Sequence, residues 1–176
     1  LVNEDLNEDG VHLMCEKVLP TEMTVSKKIE SAADFRGLKI RSSGSMLDYL
    51  AAAGAAPQFV PGSELYQALS SGVVDGAHWG AAIGAQSMSL WEVCKYHYKP
   101  VLAQTTDAFI MNIDALEALP TDLRGALEEI VTTRFFLRSA EYQHKEAIAL
   151  AEGIEKDGIE VVQLPDDVLE LLATAS

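Results

Sequence analysis

The chain has 176 residues, 48 % of them apolar and 23 % charged, which suits a soluble globular fold with room for one domain or two small lobes. A net charge of −14 and a pI near 4.5 argue against nucleic acid and against an anionic membrane surface, since both demand a basic footprint. They leave an anionic small ligand open, because one buried arginine outweighs a diffuse negative surface at short range.

Taken in order, residues 1–9 are acidic and polar and read as a frayed start. Short apolar runs from Val11 to Val18 and from Met23 to Ser26, interrupted at Pro20-Thr21, predict two strands or one bent strand. Ser31 to Asp34 resembles a capping box opening one helical turn, which Gly37 ends. Leu38 to Arg41 reads as a strand, Met46 to Ala53 as a helix stopped by Gly54, and Pro57 to Val60 as a second strand. Pro61-Gly62-Ser63-Glu64 starts a helix with Leu65, Tyr66 and Leu69 on or near one face and Gly72 as its stop; Val73 to His78 is a third strand. This strand–helix alternation with short connections predicts a parallel sheet with crossover helices, and ligands of such sheets sit beyond the carboxyl ends of the strands.

A helical pattern then runs from Gly80 to about Val93, and Tyr96 to Pro100 reads as an aromatic turn, solvated or at an interlobe contact. Val101 to Asn112 reads as a long or broken strand. Leu119-Pro120-Thr121-Asp122 opens a helix, with Thr121 as N-cap, whose pattern continues almost to Gly153; at ~1.5 Å per residue that is long enough to bridge two lobes. Gly158 to Leu164 is a last strand, followed by a helix capped by Pro165-Asp166-Asp167. No apolar run reaches membrane-spanning length, and no charged-apolar-small leader opens the chain.

Catalytic and metal motifs are missing from the pattern. Cys15 and Cys94 stand far apart, which allows a disulfide but favours buried free thiols, while His12, His78, His97 and His144 show no ligand spacing. The sequence lacks G-x-S-x-G, Walker and G-x-G-x-x-G words, so no catalytic residue, metal or cofactor is expected. The stretch Leu38 to Ser45 carries the most chemistry. A strand ending in Arg41 runs into Ser42, Ser43, Gly44 and a helix start, which brings a planar cation and free amides to one spot suited to a carboxylate. The plain alternative for Arg41 is a surface arginine paired with one of the 27 acidic residues.

An ordered set of segments resembles the periplasmic solute-binding proteins of tripartite ATP-independent periplasmic (TRAP) transporters, of the DctP type. Pro20-Thr21-Glu22 precedes Ser26-Lys27-Lys28-Ile29; Ala33 to Arg41 resembles the family's "DLKGLKIR" segment; Gly54 to Pro57, then Ser63 to Leu69, resembles "GA-P … E-Y-AL". Gly72 to Trp79 and Ala118 to Leu123 continue the series, which covers about residues 10–176. The resemblance implies an α/β periplasmic-binding-protein-like lobe with a mostly parallel sheet, a long bridging helix and a partial second lobe. By analogy residues 19–105 and 145–176 form the ligand-binding lobe. Residues 1–18 and 106–144 are then what remains of the first lobe with the bridging helix, so the chain reads as the carboxy-terminal portion of such a protein.

It further implies a function: capture of a small organic acid in the periplasm by hinge closure, with Arg41 salt-bridged to the carboxylate, and delivery to membrane permease subunits. His78 and Trp79 fall where family members place ligand-touching residues, a glutamate at His78 helping to hold a metal in the keto-acid branch. Gln104 falls near a second carboxylate of that branch and is neutral, so a hard cation is disfavoured. Ser42, Ser43 and Ser45 offer hydrogen bonds, and Tyr66 is expected to pack its ring. A homo-oligomer through surface that the absent part would cover is allowed. The rivals are a hydrolase or decarboxylase using His78 with Ser42 or Ser43, and a ligand-sensing regulatory module.

Overall fold

A computed structural model describes residues 2–175. In chain order its elements are α1 (Val2–Glu8), β1 (Val11–Val25), α2 (Ala32–Phe35), β2 (Ile40–Ser42), α3 (Ser45–Ala52), β3 (Gln58–Phe59), α4 (Gly62–Ser70) and β4 (Gly76–His78). There follow α5 (Ala82–Ser87), a 3-10 turn (Leu90–Glu92), β5 (Tyr96–Asn112), α6 (Ile113–Glu117), α7 (Thr121–Glu152), a π-helical turn (Gly153–Asp157), β6 (Glu160–Gln163) and α8 (Asp166–Ala175). The six strands form one sheet in the order β3-β2-β4-β1-β5-β6. β2 runs parallel to both β3 and β4, β5 runs parallel to β6, and β1 is antiparallel to β4. The run β2–β3–β4 is parallel, as the alternation predicts, and the sheet as a whole is the mostly parallel α/β sheet that the resemblance implies.

Side chains alternate across the sheet, so register assigns faces. Arg41 is level with Ala77, and Ala77 belongs to the cluster built from α4, α5, the 3-10 turn and the end of α7: Leu65, Leu69, Leu90, Trp91 and Ala149. Ile40 and Met23 belong to the opposite cluster, with Phe35, Leu50, Val168 and Leu172 from α2, α3 and α8. His78 is level with Met23 and Ser42 is two residues on from Ile40, so both point to this second face. Arg41 and Trp79 point to the first.

Three segments differ from the sequence expectation. Val2–Glu8 is a helix, not a frayed start, because Asn3 pairs its amide with the backbone N and O of Leu13 (2.9 Å each). The Gly80–Val93 pattern breaks into α5 and the 3-10 turn at Ser89, whose φ of 54° is left-handed. Tyr96–Pro100 is not a turn but the start of β5. It buries both faces, His97 against Trp91 and Tyr98 in the opposite cluster, and pairs with β6. The long helix is present over 32 residues, starting at Thr121, with Pro120 O accepting from Arg124 N (2.9 Å).

The chain divides into two compact units, Leu1–Leu19 with Gln104–His144, and Pro20–Ala103 with Lys145–Ser176. The second holds both clusters above. The first has a small core of Met14, Leu116 and Val131, framed by Met111, Leu119 and Leu127. Its polar seam joins Lys17 to Asp107 and to Glu16 (2.9 Å), and Glu16 to Arg134 (2.6 Å).

Candidate functional site

Three parallel strand ends, β2, β3 and β4, finish side by side at Ser42, Phe59 and His78. Arg41 lies across them, 6 % exposed. Its Nε donates to Val60 O (3.0 Å), just past β3, and its Nη1 donates to His78 O (3.1 Å), at the end of β4. Its Cζ lies 4.3 Å from the centroid of the Trp79 ring. Among the described residues it has no carboxylate partner; burial alone pulls its pKa below the ordinary value, and the guanidinium stays charged. Chemically, a buried cation fixed by carbonyls and a ring face, with N–H groups to spare, can donate to an anion.

The glycines beside Trp79 explain its placement. A Cβ on Gly62, at the start of α4, would stand 2.5 Å from the ring, and one on Gly84 would run into Trp79 O. Pro61-Gly62 was legible as a helix start, but its role as the floor of an indole was not, since the two are 17 positions apart in sequence and meet only in the fold.

His78 joins this arrangement through its carbonyl, while its ring lies on the other face. Nδ1 is 3.3 Å from Ser42 Oγ, and Nε2 is buried without a partner among the described residues. Burial and the charge of Arg41 push its pKa down to about 4, so the ring is neutral near pH 7. Ser43 is half-buried in the turn into α3 and makes no side-chain hydrogen bond among the described residues; Gln104 is exposed in β5 and belongs to the other unit. The structure thus brings Arg41 and Trp79 together on one face and Ser42 and His78 on the other, the two pairs being joined through the His78 carbonyl, with Ser43 next in the chain.

The donors at Arg41 do not suit a hard cation. They are carbonyls already engaged by the guanidinium, a serine hydroxyl and a neutral imidazole, beside a fixed positive charge. Among the described residues no group of three or more His, Cys, Asp or Glu side chains forms a metal cage. Ser42 and His78 are within reach of each other, as a nucleophile and base must be. Yet Ser42 is fully buried, no carboxylate among the described residues orients the ring, and a base with a pKa of about 4 is a poor proton acceptor at neutral pH.

A second polar group was not read from the sequence. Glu22 on β1 is buried and accepts from His97 Nε2 (2.6 Å) and from Lys99, while Trp91 Nε1 donates to His97 Nδ1 (3.4 Å). Burial raises the Glu22 pKa, but hydrogen bonds from His97 and Lys99 outweigh it and hold the carboxyl below its ordinary value. The group ties β1 to β5. Cys15 and Cys94 are free thiols; Cys94 is buried as expected, which pushes its pKa up to about 12, whereas Cys15 is only half-buried.

Residues 17–176 match the family model for bacterial extracellular solute-binding protein, family 7 (DctP). Among curated proteins the chain is 30 % identical over 99 residues to a monocarboxylate 2-oxoacid-binding periplasmic protein of Nostoc sp., an alignment spanning 54 % of this chain and 27 % of that one. It is 34 % identical over 109 residues to the C4-dicarboxylate-binding periplasmic protein DctP of Rhodobacter capsulatus, spanning 61 % of this chain and 32 % of that one. Its fold superposes with a TM-score of 0.88 on a TRAP transporter solute-binding protein from Bordetella bronchiseptica with copurified calcium and picolinate, at 25 % identity, covering 99 % of this chain and 53 % of that one. The chain therefore spans about half the length of that solved relative, and its alignments span about a third or less of the two curated ones.

Proposed function

This chain belongs to the bacterial extracellular solute-binding proteins of family 7, and we propose from that premise that it holds the anchoring half of a small-carboxylate site and performs no chemistry. The observation that carries the reading is Arg41: a buried guanidinium without a carboxylate partner among the described residues, held by Val60 O, His78 O and the Trp79 ring at three parallel strand ends. The ligand carboxylate takes the remaining N–H groups as a fork, Trp79 walls the site, and Ser43 and the first amides of α3 add hydrogen bonds. His78 backs Arg41 and, being neutral, adds no competing charge.

Pro20–Ala103 with Lys145–Ser176 is the ligand-binding lobe in this reading, and the division of the chain into two units supports that assignment. Binding shifts an open–closed equilibrium, and the loaded protein hands its organic acid to TRAP permease subunits in the periplasm. The contact of Ser42 with His78 favours a hydrolase as the second reading; the burial of the serine and the weakly basic ring weigh against it.

In the full protein that carries this chain, Arg41→Ala abolishes calorimetric binding of pyruvate, succinate or picolinate. Arg41→Lys, which keeps the charge and loses the fork, weakens it about tenfold or more. EDTA leaves the affinity unchanged. Undiminished binding by Arg41→Ala removes the anchor, and a large loss on chelation reinstates a metal.

A further inference from the structure

We propose that Glu146, on α7, is the positioning residue that fixes Trp79 over Arg41. The proposal rests on the reading of Arg41 and Trp79 as the ligand site. Trp79 directly follows β4, and the next residues, Gly80 to Ile83, lead into α5. That turn is held at both ends. Gly80 O accepts from Glu22 N (2.6 Å), which fastens it to β1. Ala82 N and Ile83 N donate to the two oxygens of the Glu146 carboxylate (2.6 and 3.2 Å), which fastens it to α7.

A six-residue helix begins with amides that have no partner inside the helix, and Ala81, at the cap position, has no side chain to accept from them. A carboxylate from a distant element supplies both acceptors and opposes the positive end of the helix, a stronger arrangement than a neutral cap. The indole has little freedom of its own between Gly62 and Arg41, so its pose follows the backbone of residues 79–83. Glu146 holds that backbone. One turn further on, Ala149 and Leu150 pack in the same cluster as Trp79. Glu146 also lies two positions beyond His144, where α7 passes from one unit to the other.

The test uses the full protein labelled with 5-fluorotryptophan, the Trp79 resonance being the one that Trp79→Phe removes. Glu146→Gln keeps one acceptor and Glu146→Ala keeps none, while Val168→Ala cuts into the core on the opposite face as a stability control. The Trp79 fluorine signal is expected to shift or broaden in both Glu146 variants, more in Glu146→Ala, and to stay in place in Val168→Ala. Affinity for pyruvate, succinate or picolinate, whichever the wild type binds, is expected to fall about three- to tenfold in Glu146→Gln. An unmoved Trp79 signal, a signal moved equally by Val168→Ala, or unchanged affinity in both Glu146 variants overturns the proposal. If Glu146→Ala does not fold, Glu146→Gln decides alone. Binding that survives Arg41→Ala instead sinks the underlying site reading and leaves the fluorine result standing.

Discussion

His78 is the residue whose protonation the fold most strongly opposes. Its ring is buried on the face of the sheet opposite to Arg41, and burial, with the charge of that arginine, takes its pKa from an ordinary 6.5 to about 4. A base with a depressed folded-state pKa binds its proton more readily in the unfolded chain. Stability attributable to it is therefore intact above pH 6.5 and falls as the pH drops through the window from about 6.5 to about 4, by ~3 kcal/mol at most. His78→Asn removes the titrating ring, so the acid-side fall of the melting temperature over that window should be shallower than in the wild type. Thermal unfolding at a series of pH values checks this; parallel profiles would show the ring to be neutral for another reason or readily hydrated. Near neutral pH the ring does not titrate, and His78 adds no pH dependence to carboxylate affinity.

Connections between elements decide how the site is assembled, and they were legible to unequal degrees. The run from β2 to β4 was read with its helices because its stops are local: Gly37, Gly54 and Gly72 all adopt positive φ at the ends of the elements they close. The start of β5 reads as a turn in the sequence because the groups that bury His97 are Glu22, 75 positions away, and Trp91 across a turn. The role of Glu146 is hidden from the sequence for the same reason, its two amide partners lying 64 and 63 positions back. Arg41 was readable because strand end, cation and helix start are contiguous, whereas the Gly62 floor beneath Trp79 was not. That floor gives an element-scale prediction. Gly62→Ala is compatible with the first residue of α4, where alanine gains less over glycine than the about 1 kcal/mol of a helix interior, yet its Cβ needs space the indole occupies. The melting temperature should change little while carboxylate affinity drops about tenfold, because the ring must leave the guanidinium. Calorimetry beside thermal unfolding separates the two effects, and equal affinity for the variant would mean that Trp79 is not part of the wall.

At the scale of the molecule the two units differ in what holds them. The unit formed by Pro20–Ala103 with Lys145–Ser176 has apolar clusters on both faces of its sheet, with Phe35, Ile40, Leu50, Leu65 and Val168 all excluded from water. The other unit has the part of β1 up to Leu19 beside the part of β5 from Gln104 on, with α1, α6 and most of α7, and its core centres on Met14, Leu116 and Val131. Ion pairs add to it, but pairs of partly exposed charges contribute only ~0–1 kcal/mol each. It also leaves Phe109, Ile110, Leu123, Ile130, Phe136 and Leu137 facing solvent, apolar area that in a packed lobe would be buried. Two adjacent strands under one helix make a marginal unit, and local opening follows the density of buried contacts. Hydrogen exchange on the 176-residue chain should therefore show the amides of residues 105–112 and 123–137 exchanging well before those of Ile40–Ser42 and Gly76–His78. A longer polypeptide that covers those six side chains should raise protection in the first unit and leave the second nearly unchanged. Equal protection across the 176-residue chain would mean that both units open in one cooperative step, with the continuous β1, β5 and α7 carrying stability from the larger core into the smaller one.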